Sequence, residues 1–383
     1  MNKNSYLCIF INDHPNDWED ILKRDFKIKV KIEDNLAIFN YNIDCDFYDP
    51  IVQEARGIII DYVEREVVCW PFRKFGNYTE GYVDDIDWES ARVLEKVDGS
   101  IVKLWYDVKI GRWQFSTNGV IRAENANVEN YALLKYIDVI NQADNLKDIP
   151  FNKLDKDCTY IFELVSPMNR VVVDYGFTSL YHLGTRNNLT GVEMDVDIGV
   201  KKPKSYPISS LSDCIKAAVL LNKENCDTGE IQNEGFVVVD KNWHRVKIKS
   251  PDYIMLHHVS LLKTIGKKEC ISMLLSDRTR LDVIFERSPN IIPAVKYYDY
   301  KLAELLLDAE RFGNLAIKLF EEYSHDRKAV ASIIAKHRLS SIGFKCIDTG
   351  KTPKEVIQAM PIESLIKYIP DYEYNDDVSN LFN

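Results

Sequence analysis

A lysine in the run EKVDGS at residues 95–100 is the first candidate for chemistry in this sequence. The tetrapeptide KVDG alone is weak evidence, because Asp-Gly is a strong turn signal and a lysine beside a turn is ordinarily solvated. The case that Lys96 has a chemical role is strengthened by other charged residues that stand at or within apolar, strand-like runs. These residues are Arg56 before GIIID, Glu163 within YIFELV, Glu234 before GFVVVD, and the pair Lys247 and Lys249 in RVKIK.

Together these residue types suit covalent nucleotidyl transfer. A lysine attacks phosphorus only as the neutral amine, and neighbouring cations and burial lower its pKa. Lys247 and Lys249 lie two residues apart on one face of a strand, so we expect them to lower the pKa of Lys96 and to neutralise phosphate charge. Glu163 and Glu234 predict a site for hydrated Mg²⁺, which takes few carboxylates together with water and phosphate oxygens.

The segments that carry these residues are predicted to be strands, because β-branched and aromatic runs recur through the first 250 or so residues. Alternating apolar residues predict that the run VKLWYD is half buried. Helices predicted over 123–144 and 210–223 interrupt the strands irregularly, which favours an α+β fold over a doubly wound sheet. The predicted strands cover residues 28–33, 56–61, 102–107, 113–117, 160–165, 170–175, 235–240 and 245–249.

The pattern changes after about residue 254, where no strand-like run is convincing. Apolar residues at helical spacing predict a helix over 301–323, and the capping box from Thr352 to Glu355 predicts another helix start. We therefore predict two domains, one over 1–254 and an all-helical domain over 255–383.

Composition narrows the class of protein. The chain has 383 residues, a formal net charge of −10 and eight cysteines without a CxxC pair. No apolar run approaches the ~18 residues that span a bilayer, which excludes a membrane protein. The scattered cysteines exclude an extracellular disulfide scaffold. We expect a cytoplasmic protein without a structural zinc site. The stretch 241–268 carries seven lysines and arginines against Asp252 alone, which predicts a local surface for nucleic acid.

Taken in order, KVDG, FEL, EGF and VKIK resemble the motifs of ATP-dependent ligases and capping enzymes. More closely, the chain resembles the T-even phage RNA ligase 1 family over about residues 36–258. The matching stretches are FNYN (39–42), ARGIIID (55–61), PFRKFGN (71–77), LEKVDGSIVK (94–103), FELVSPMNRVVV (162–173), NEGFVVV (233–239) and VKIKSPDY (246–253). The resemblance implies a nucleotidyltransferase domain of the ATP-grasp-like ligase type, with antiparallel sheets, followed by the helical domain.

The resemblance also implies a function and a role for each matching residue. The enzyme would join a 5′-phosphate to a 3′-hydroxyl RNA end through lysyl-AMP on Lys96 and an adenylylated RNA. Asp98, Gly99 and Tyr253 would be essential to this activity. The nucleotide would contact Tyr41, Arg56, Lys74, Glu163, Glu234, Lys247 and Lys249. Mg²⁺ or Mn²⁺ would be held, partly through water, by Glu163, Glu234 and Asp277.

Two positions depart from the family pattern. Asn118 stands where the family tends to have a lysine, and Arg122 is a candidate replacement for it. Gly76 stands where the family tends to have a second aromatic residue after Lys74.

The expected partners are ATP and single-stranded RNA or tRNA ends, as in RNA repair, with no membrane and no second copy of the chain. The helical domain is expected to govern the choice of RNA, and the family implies a viral origin and a host cytoplasm. Two alternatives remain. A capping enzyme or DNA ligase is disfavoured because both append a β-rich domain after the lysine pair. A non-catalytic RNA-end binder is disfavoured because the charged residues are intact.

Overall fold

The computed structural model describes residues 5–128, 131–221, 231–254, 265–276, 281, 285 and 289–373. These residues form two compact units, one reaching Ile254 and the other starting at Ile265. The first unit combines antiparallel sheets with short helices, and the described part of the second is helical. The predicted α+β fold with a helical C-terminal region is confirmed. The exact domain boundary and the separate roles of the domains stay predictions.

Three antiparallel sheets are built from the described strands of the first unit. The strands are β1 (Lys29–Glu33), β2 (Leu36–Asn40), β3 (Arg56–Asp61), β4 (Glu66–Cys69), β5 (Arg92–Glu95), β6 (Ser100–Asp107), β7 (Arg112–Thr117), β8 (Cys158–Val165), β9 (Ser179–Asn187), β10 (Glu193–Met194), β11 (Ser205–Tyr206), β12 (Gly235–Val239) and β13 (Arg245–Lys249). Their orders are β1-β2-β3-β4, β10-β9-β8-β6-β7 and β11-β5-β12-β13. The helices of this unit are α1 (Tyr6–Asp13), α2 (Trp18–Arg24), α3 (Pro50–Glu54), α4 (Tyr136–Ile140) and α5 (Leu211–Leu220).

The second sheet is buried on both faces at strand β6. Leu104 packs with Phe162 in one apolar cluster, whereas Trp105 packs with Ile38 and Ile59 of the first sheet. The prediction that this strand is half buried is therefore wrong, because a second sheet covers the face that alternation assigned to solvent. Lys103 is consequently 0% exposed.

The predicted strand over 170–175 is absent from the structure. The backbone N–H groups of Val172 and Val173 donate to the carboxylate of Asp98, at 2.8 and 2.7 Å, rather than to a neighbouring strand. A side chain from another part of the chain therefore satisfies the backbone that the apolar pattern assigned to a sheet.

The predicted helix over 123–144 is also wrong. The chain makes one 3₁₀ turn at Ala123–Asn125 and then doubles back, so that the N–H of Tyr136 donates to the carbonyl of Ala126 at 2.8 Å. Only α4 is helical in the rest of the described segment. The helix predicted over 210–223 is confirmed as α5, and Ser210 caps its first turn.

Helices make up the regular structure of the described second unit. They are α6 (Lys267–Ser276), α7 (Ile292–Glu322), α8 (Arg327–Ile334), α9 (Ser340–Thr349), α10 (Pro353–Gln358) and α11 (Ile362–Leu365). The helix predicted over 301–323 lies within α7, and α10 begins at the predicted capping box of Thr352 and Glu355. None of the described helices combines the length and hydropathy of a membrane-spanning segment.

The stability of the first unit should depend on the core beneath β8. Phe162 is 0% exposed, so Phe162→Ala should lower the free energy of unfolding by about 3–5 kcal/mol. Phe177, which is 40% exposed, is a matched control, and Phe177→Ala should cost about 1 kcal/mol or less. Urea unfolding followed by tryptophan fluorescence measures both changes. Equal losses in the two variants would contradict this assignment of the core.

Candidate functional site

A cavity of about 370 Å³ is lined mainly by residues of the second and third sheets, together with Arg56 of the first sheet and residues of the connecting loops. This volume lies in the range of small-molecule sites. Six of the residues that the sequence singled out line it: Arg56, Lys96, Gly99, Glu163, Lys247 and Lys249. The wall also contains Phe75 and Asn118. The structure therefore brings together residues that are up to 193 positions apart in the chain.

The floor of the site is an ion cluster around Glu234. The Nζ of Lys96 lies 2.6 Å from one oxygen of this carboxylate, and the Nζ of Lys249 lies 2.8 Å from the other. Strand register produces the arrangement, because Gly235 pairs with Lys249 across β12 and β13 and its carbonyl accepts the N–H of Lys96 at 2.8 Å. Burial alone would raise the pKa of Glu234, but the two ammonium groups outweigh it and the pKa is lowered.

The expectation that cations lower the pKa of Lys96 is wrong for this state of the protein. Burial favours the neutral amine, but attraction to Glu234, Glu163 and Asp98 outweighs burial, and the pKa of Lys96 is raised. The sequence alone does not reveal that these carboxylates lie so close to the Lys96 amine. Lys96 is therefore a protonated ammonium at neutral pH.

Lys247 has the lowered pKa instead. Burial lowers the pKa of Lys247 to about 6, and the charges of Arg56, Lys96, Lys74 and Lys249 act in the same direction. The Nζ of Lys247 lies 4.7 Å from the ring centre of Phe75, and the Arg56 guanidinium lies 5.1 Å from the same ring. The Phe75 ring thus lies beside two basic side chains of the cavity wall, which suit a polyanion because phosphate charge would favour the protonated form of Lys247.

Glu163 is a buried carboxyl group in the lining of the cavity. Alternation along β8 directs Phe162 into the core and Glu163, paired in register with Ile101, into the cavity wall. Burial raises the pKa of Glu163 to about 8. No residue that the structure describes donates a hydrogen bond to it. Glu163 is therefore open to a cation or a hydroxyl donor of a ligand in the cavity.

Glu163 and Glu234 suit a hydrated divalent cation better than a structural metal ion enclosed by protein ligands. The described residues contain no cluster of three or more His, Cys, Asp or Glu side chains that would enclose a metal. Mg²⁺ usually keeps several waters and takes one or two carboxylates together with substrate phosphates. Asp277, the third expected metal ligand, lies outside the described residues.

The backbone beside Lys96 is stabilised by contacts of Asp98, Gly99 and Tyr253. The Asp98 carboxylate accepts the Tyr253 hydroxyl at 2.7 Å as well as two backbone N–H groups. A Cβ on Gly99 would lie 2.3 Å from the carbonyl oxygen of Leu164, so only glycine permits this approach. Tyr175, which sequence reasoning missed, accepts the backbone N–H of Asp98 at 2.9 Å.

Tyr41 and Lys74 lie outside the cavity lining. The Nζ of Lys74 is surrounded by the rings of Tyr41, Phe47 and Tyr82, at 5.0, 4.3 and 5.8 Å. A Cβ on Gly76 would approach the Tyr82 ring to 3.0 Å. Tyr82 therefore occupies space beside position 76, where the family pattern has an aromatic residue. This contact could not be predicted from the sequence, because the two positions meet only through the loop fold.

Arg122 does not take the place of the missing family lysine. Its guanidinium pairs with Glu33 and, at 3.1 Å, with Asp107, and Arg122 is not among the residues that line the cavity. These two carboxylates compete with any ligand of the cavity for the Arg122 guanidinium. Asn118 itself lines the cavity, so the wall at this position carries an amide in place of a charge.

The predicted basic stretch is largely charge-compensated in the first unit. Lys241 pairs with Asp87, and Arg245 pairs with Glu193 at 2.7 Å. Lys249 is held by Glu234. The prediction that 241–268 forms a nucleic-acid surface stays a prediction.

Comparison with known proteins places this site in a family. The sequence model of the RNA ligase family matches residues 54–253, which is more than half of the chain. A baculovirus protein named as a bifunctional polynucleotide kinase/RNA ligase, from Autographa californica nuclear polyhedrosis virus, is 34% identical over 256 residues. That match covers 61% of this chain and 35% of the relative, so the chain spans about a third of that relative's length.

Two further proteins are similar over most of the chain. An RNA ligase of Rhodothermus phage RM378 is 24% identical over 339 residues, which cover 71% of this chain and 76% of the phage protein. A solved archaeal ATP-dependent RNA ligase is 14% identical with a TM-score of 0.45, covering 74% of this chain and 78% of that one. This chain belongs to the RNA ligase family, and the predicted resemblance is confirmed.

The lowered pKa of Lys247 predicts proton uptake when a nucleotide binds. At pH 7 this amine is mostly neutral, and phosphate charge beside it should raise its pKa and draw a proton from solution. Calorimetry of ATP binding in buffers of different ionisation enthalpy should show uptake that approaches one proton at pH 7 and fades near pH 5. Affinity should therefore fall as pH rises above about 6.

The matched variant is Lys247→Met, in which most of this uptake should disappear. Proton uptake that persists undiminished in Lys247→Met would show that another group titrates.

Proposed function

We propose that the protein is an ATP-dependent RNA ligase that works through a covalent lysyl-AMP on Lys96. The observation that carries the proposal is the placement of Lys96 at a cavity where Arg56 and Lys247 have no carboxylate partner among the described residues, while Glu234 lies within hydrogen-bond distance of the nucleophile. Such a wall suits the phosphates of a nucleotide, and membership of the RNA ligase family supports the same substrate class.

In the first step the Lys96 amine forms a P–N bond to the α-phosphorus of ATP as the P–O bond to pyrophosphate breaks. Lys96 must lose a proton beforehand, and a cation bound at Glu163 and Glu234 would favour this loss because it would weaken the attraction of these carboxylates for the ammonium. Lys247 and Arg56 neutralise charge that moves to the departing pyrophosphate. A divalent cation, when bound, would be held by Glu163 and Glu234 and would supply further neutralisation of phosphate charge.

The two later steps use the same in-line geometry. A 5′-phosphate oxygen attacks the phosphorus of lysyl-AMP, so that the P–N bond breaks and an adenylylated RNA end forms. A 3′-hydroxyl then attacks the RNA phosphorus, which joins the ends and releases AMP. Positioning and charge neutralisation dominate such displacements.

The substrate is proposed to be single-stranded RNA ends, with nicked tRNA as the natural case. Support comes from the family and from relatives that are named RNA ligases. The helical second unit is proposed to select among RNA substrates, because the charged cluster and its cavity lie wholly in the first unit.

Incubation with α-labelled ATP tests the covalent step. The label should transfer to the protein, survive denaturing electrophoresis and be released by acid, as a phosphoramidate is. Lys96→Ala should abolish it, whereas Lys109→Ala, a change at an exposed lysine, should leave it unchanged. A label that persists in folded Lys96→Ala would contradict the assignment.

The role of Glu234 has a separate test. Glu234→Gln keeps the side-chain shape but removes the charge that orders Lys96 and Lys249, so adenylylation should slow by about 10²–10³-fold. Glu64→Gln, at an exposed position, is the control. A loss of less than threefold in Glu234→Gln would reduce this residue to a structural one.

The proposed role of the helical unit is tested with a chain that ends at residue 258. If circular dichroism shows a folded fragment, that fragment should still become labelled. Its ratio of joining rates on a nicked hairpin and on a linear oligonucleotide should change. An unchanged ratio would remove the helical unit from substrate selection.

A further inference from the structure

Lys103 is a fully buried cation that the proposed mechanism does not use. It lies in the middle of β6, with Ser116 of β7 on one side and Ile161 of β8 on the other. Its residue is 0% exposed, which is rare for lysine unless a partner or a function retains it.

The Lys103 ammonium lies directly behind the cavity wall. It donates to the carbonyl of Gly57 at 2.6 Å and to the carbonyl of Thr117 at 2.7 Å. Gly57 follows Arg56 and Thr117 precedes Asn118, and both of these neighbours line the cavity. Lys103 therefore joins the two backbone segments that carry this part of the wall.

The geometry at Gly57 shows how close this contact is. A Cβ placed on Gly57, whose φ is +83°, would lie 2.6 Å from the Lys103 Nζ and 2.8 Å from the Cα of Asn118. The ammonium thus lies beside position 118, the position at which the family pattern has a lysine and this chain has an amide.

The charge of Lys103 lacks a counter-ion among the described residues. Both of its hydrogen-bond acceptors are neutral carbonyls, whereas Arg122 nearby is paired with two carboxylates. Burial lowers the pKa of Lys103 to about 8, and the charge of Arg56 acts in the same direction. A buried ammonium without a counter-charge is costly, and an anion in the adjoining cavity would offset that cost.

We propose that Lys103 is a positioning residue of the nucleotide site, which holds the wall segments of Arg56 and Asn118 together and attracts the polyphosphate through that wall. The inference rests on the proposed function, because it takes ATP as the ligand of the cavity. Lys103 itself makes no contact with the reacting atoms; its effect is on binding.

The test compares ligands that differ in phosphate number. Dissociation constants of ATP, AMP and adenosine are measured at pH 7 for the wild-type chain, Lys103→Met and the exposed-lysine control Lys109→Met. Loss of the buried charge should weaken ATP about tenfold, AMP less, and adenosine less than twofold. Lys109→Met should match the wild type for all three ligands.

A graded loss that follows phosphate number supports the proposal, since general damage to the pocket would weaken all three ligands alike. Equal weakening of the three ligands, or ATP affinity within twofold of wild type, overturns it. If Lys103→Met does not fold, Lys103→Gln is measured by the same criteria, because it keeps N–H donors for the two carbonyls and removes the charge.

The outcome is distinguishable from failure of the proposed function. Wild-type protein that neither binds ATP nor becomes labelled contradicts the proposed function itself. Wild-type protein that binds ATP and becomes labelled, with no graded loss in the folded Lys103 variant, contradicts only the role of Lys103.

Discussion

The carboxylate of Glu234, buried between the ammonium groups of Lys96 and Lys249, is the interaction on which the site depends. Glu234 is only 2% exposed, and a carboxylate so placed is tolerated because both oxygens are paired, at 2.6 and 2.8 Å. The pairs join the loop after β5 to β12 and β13. Loss of Glu234 would leave both ammonium groups without this counter-charge, whereas loss of either lysine would leave one oxygen of Glu234 without its partner.

This cluster also explains the electrostatics of the cavity. Carboxylates around Lys96 keep it protonated, whereas burial and then the neighbouring cations favour the neutral form of Lys247. The charge states of the two lysines are therefore the reverse of those that the first step of the proposed nucleotidyl transfer requires. The arrival of phosphates beside Lys247 and of a cation at Glu163 and Glu234 would move both lysines towards the required states, so the proposed mechanism couples deprotonation of Lys96 to ligand binding.

Short motifs made much of the site predictable. Lys96, Glu163, Lys247 and Lys249 sit at or near strand ends that β-branched runs identify, and the structure gathers them at one cavity. The segment 170–175 could not be predicted in the same way. Its backbone bonds to Asp98, a partner more than 70 residues away that apolar periodicity does not register. Contacts between sheets likewise decided the burial of β6 and of Lys103.

The direction of the pKa shift at Lys96 could not be predicted from the sequence, for a related reason. Motif spacing places both carboxylates and ammonium groups near the nucleophile but does not say which are nearer. Arg122 shows the same limit, because Glu33 and Asp107 engage it through tertiary contacts. Residue types thus predicted the kind of chemistry, whereas the charge states of the lysines depend on distances that only the structure provides.

A titration of the Lys96 amine by heteronuclear NMR, with selectively labelled lysine, tests the central claim about Glu234 most directly. In the free wild-type protein the pKa of Lys96 should lie above its ordinary value of 10.5. In Glu234→Gln it should fall, because burial then acts against a weaker set of carboxylates. A Lys96 pKa already below 10.5 in the wild type, or one that Glu234→Gln leaves unchanged, would contradict the account.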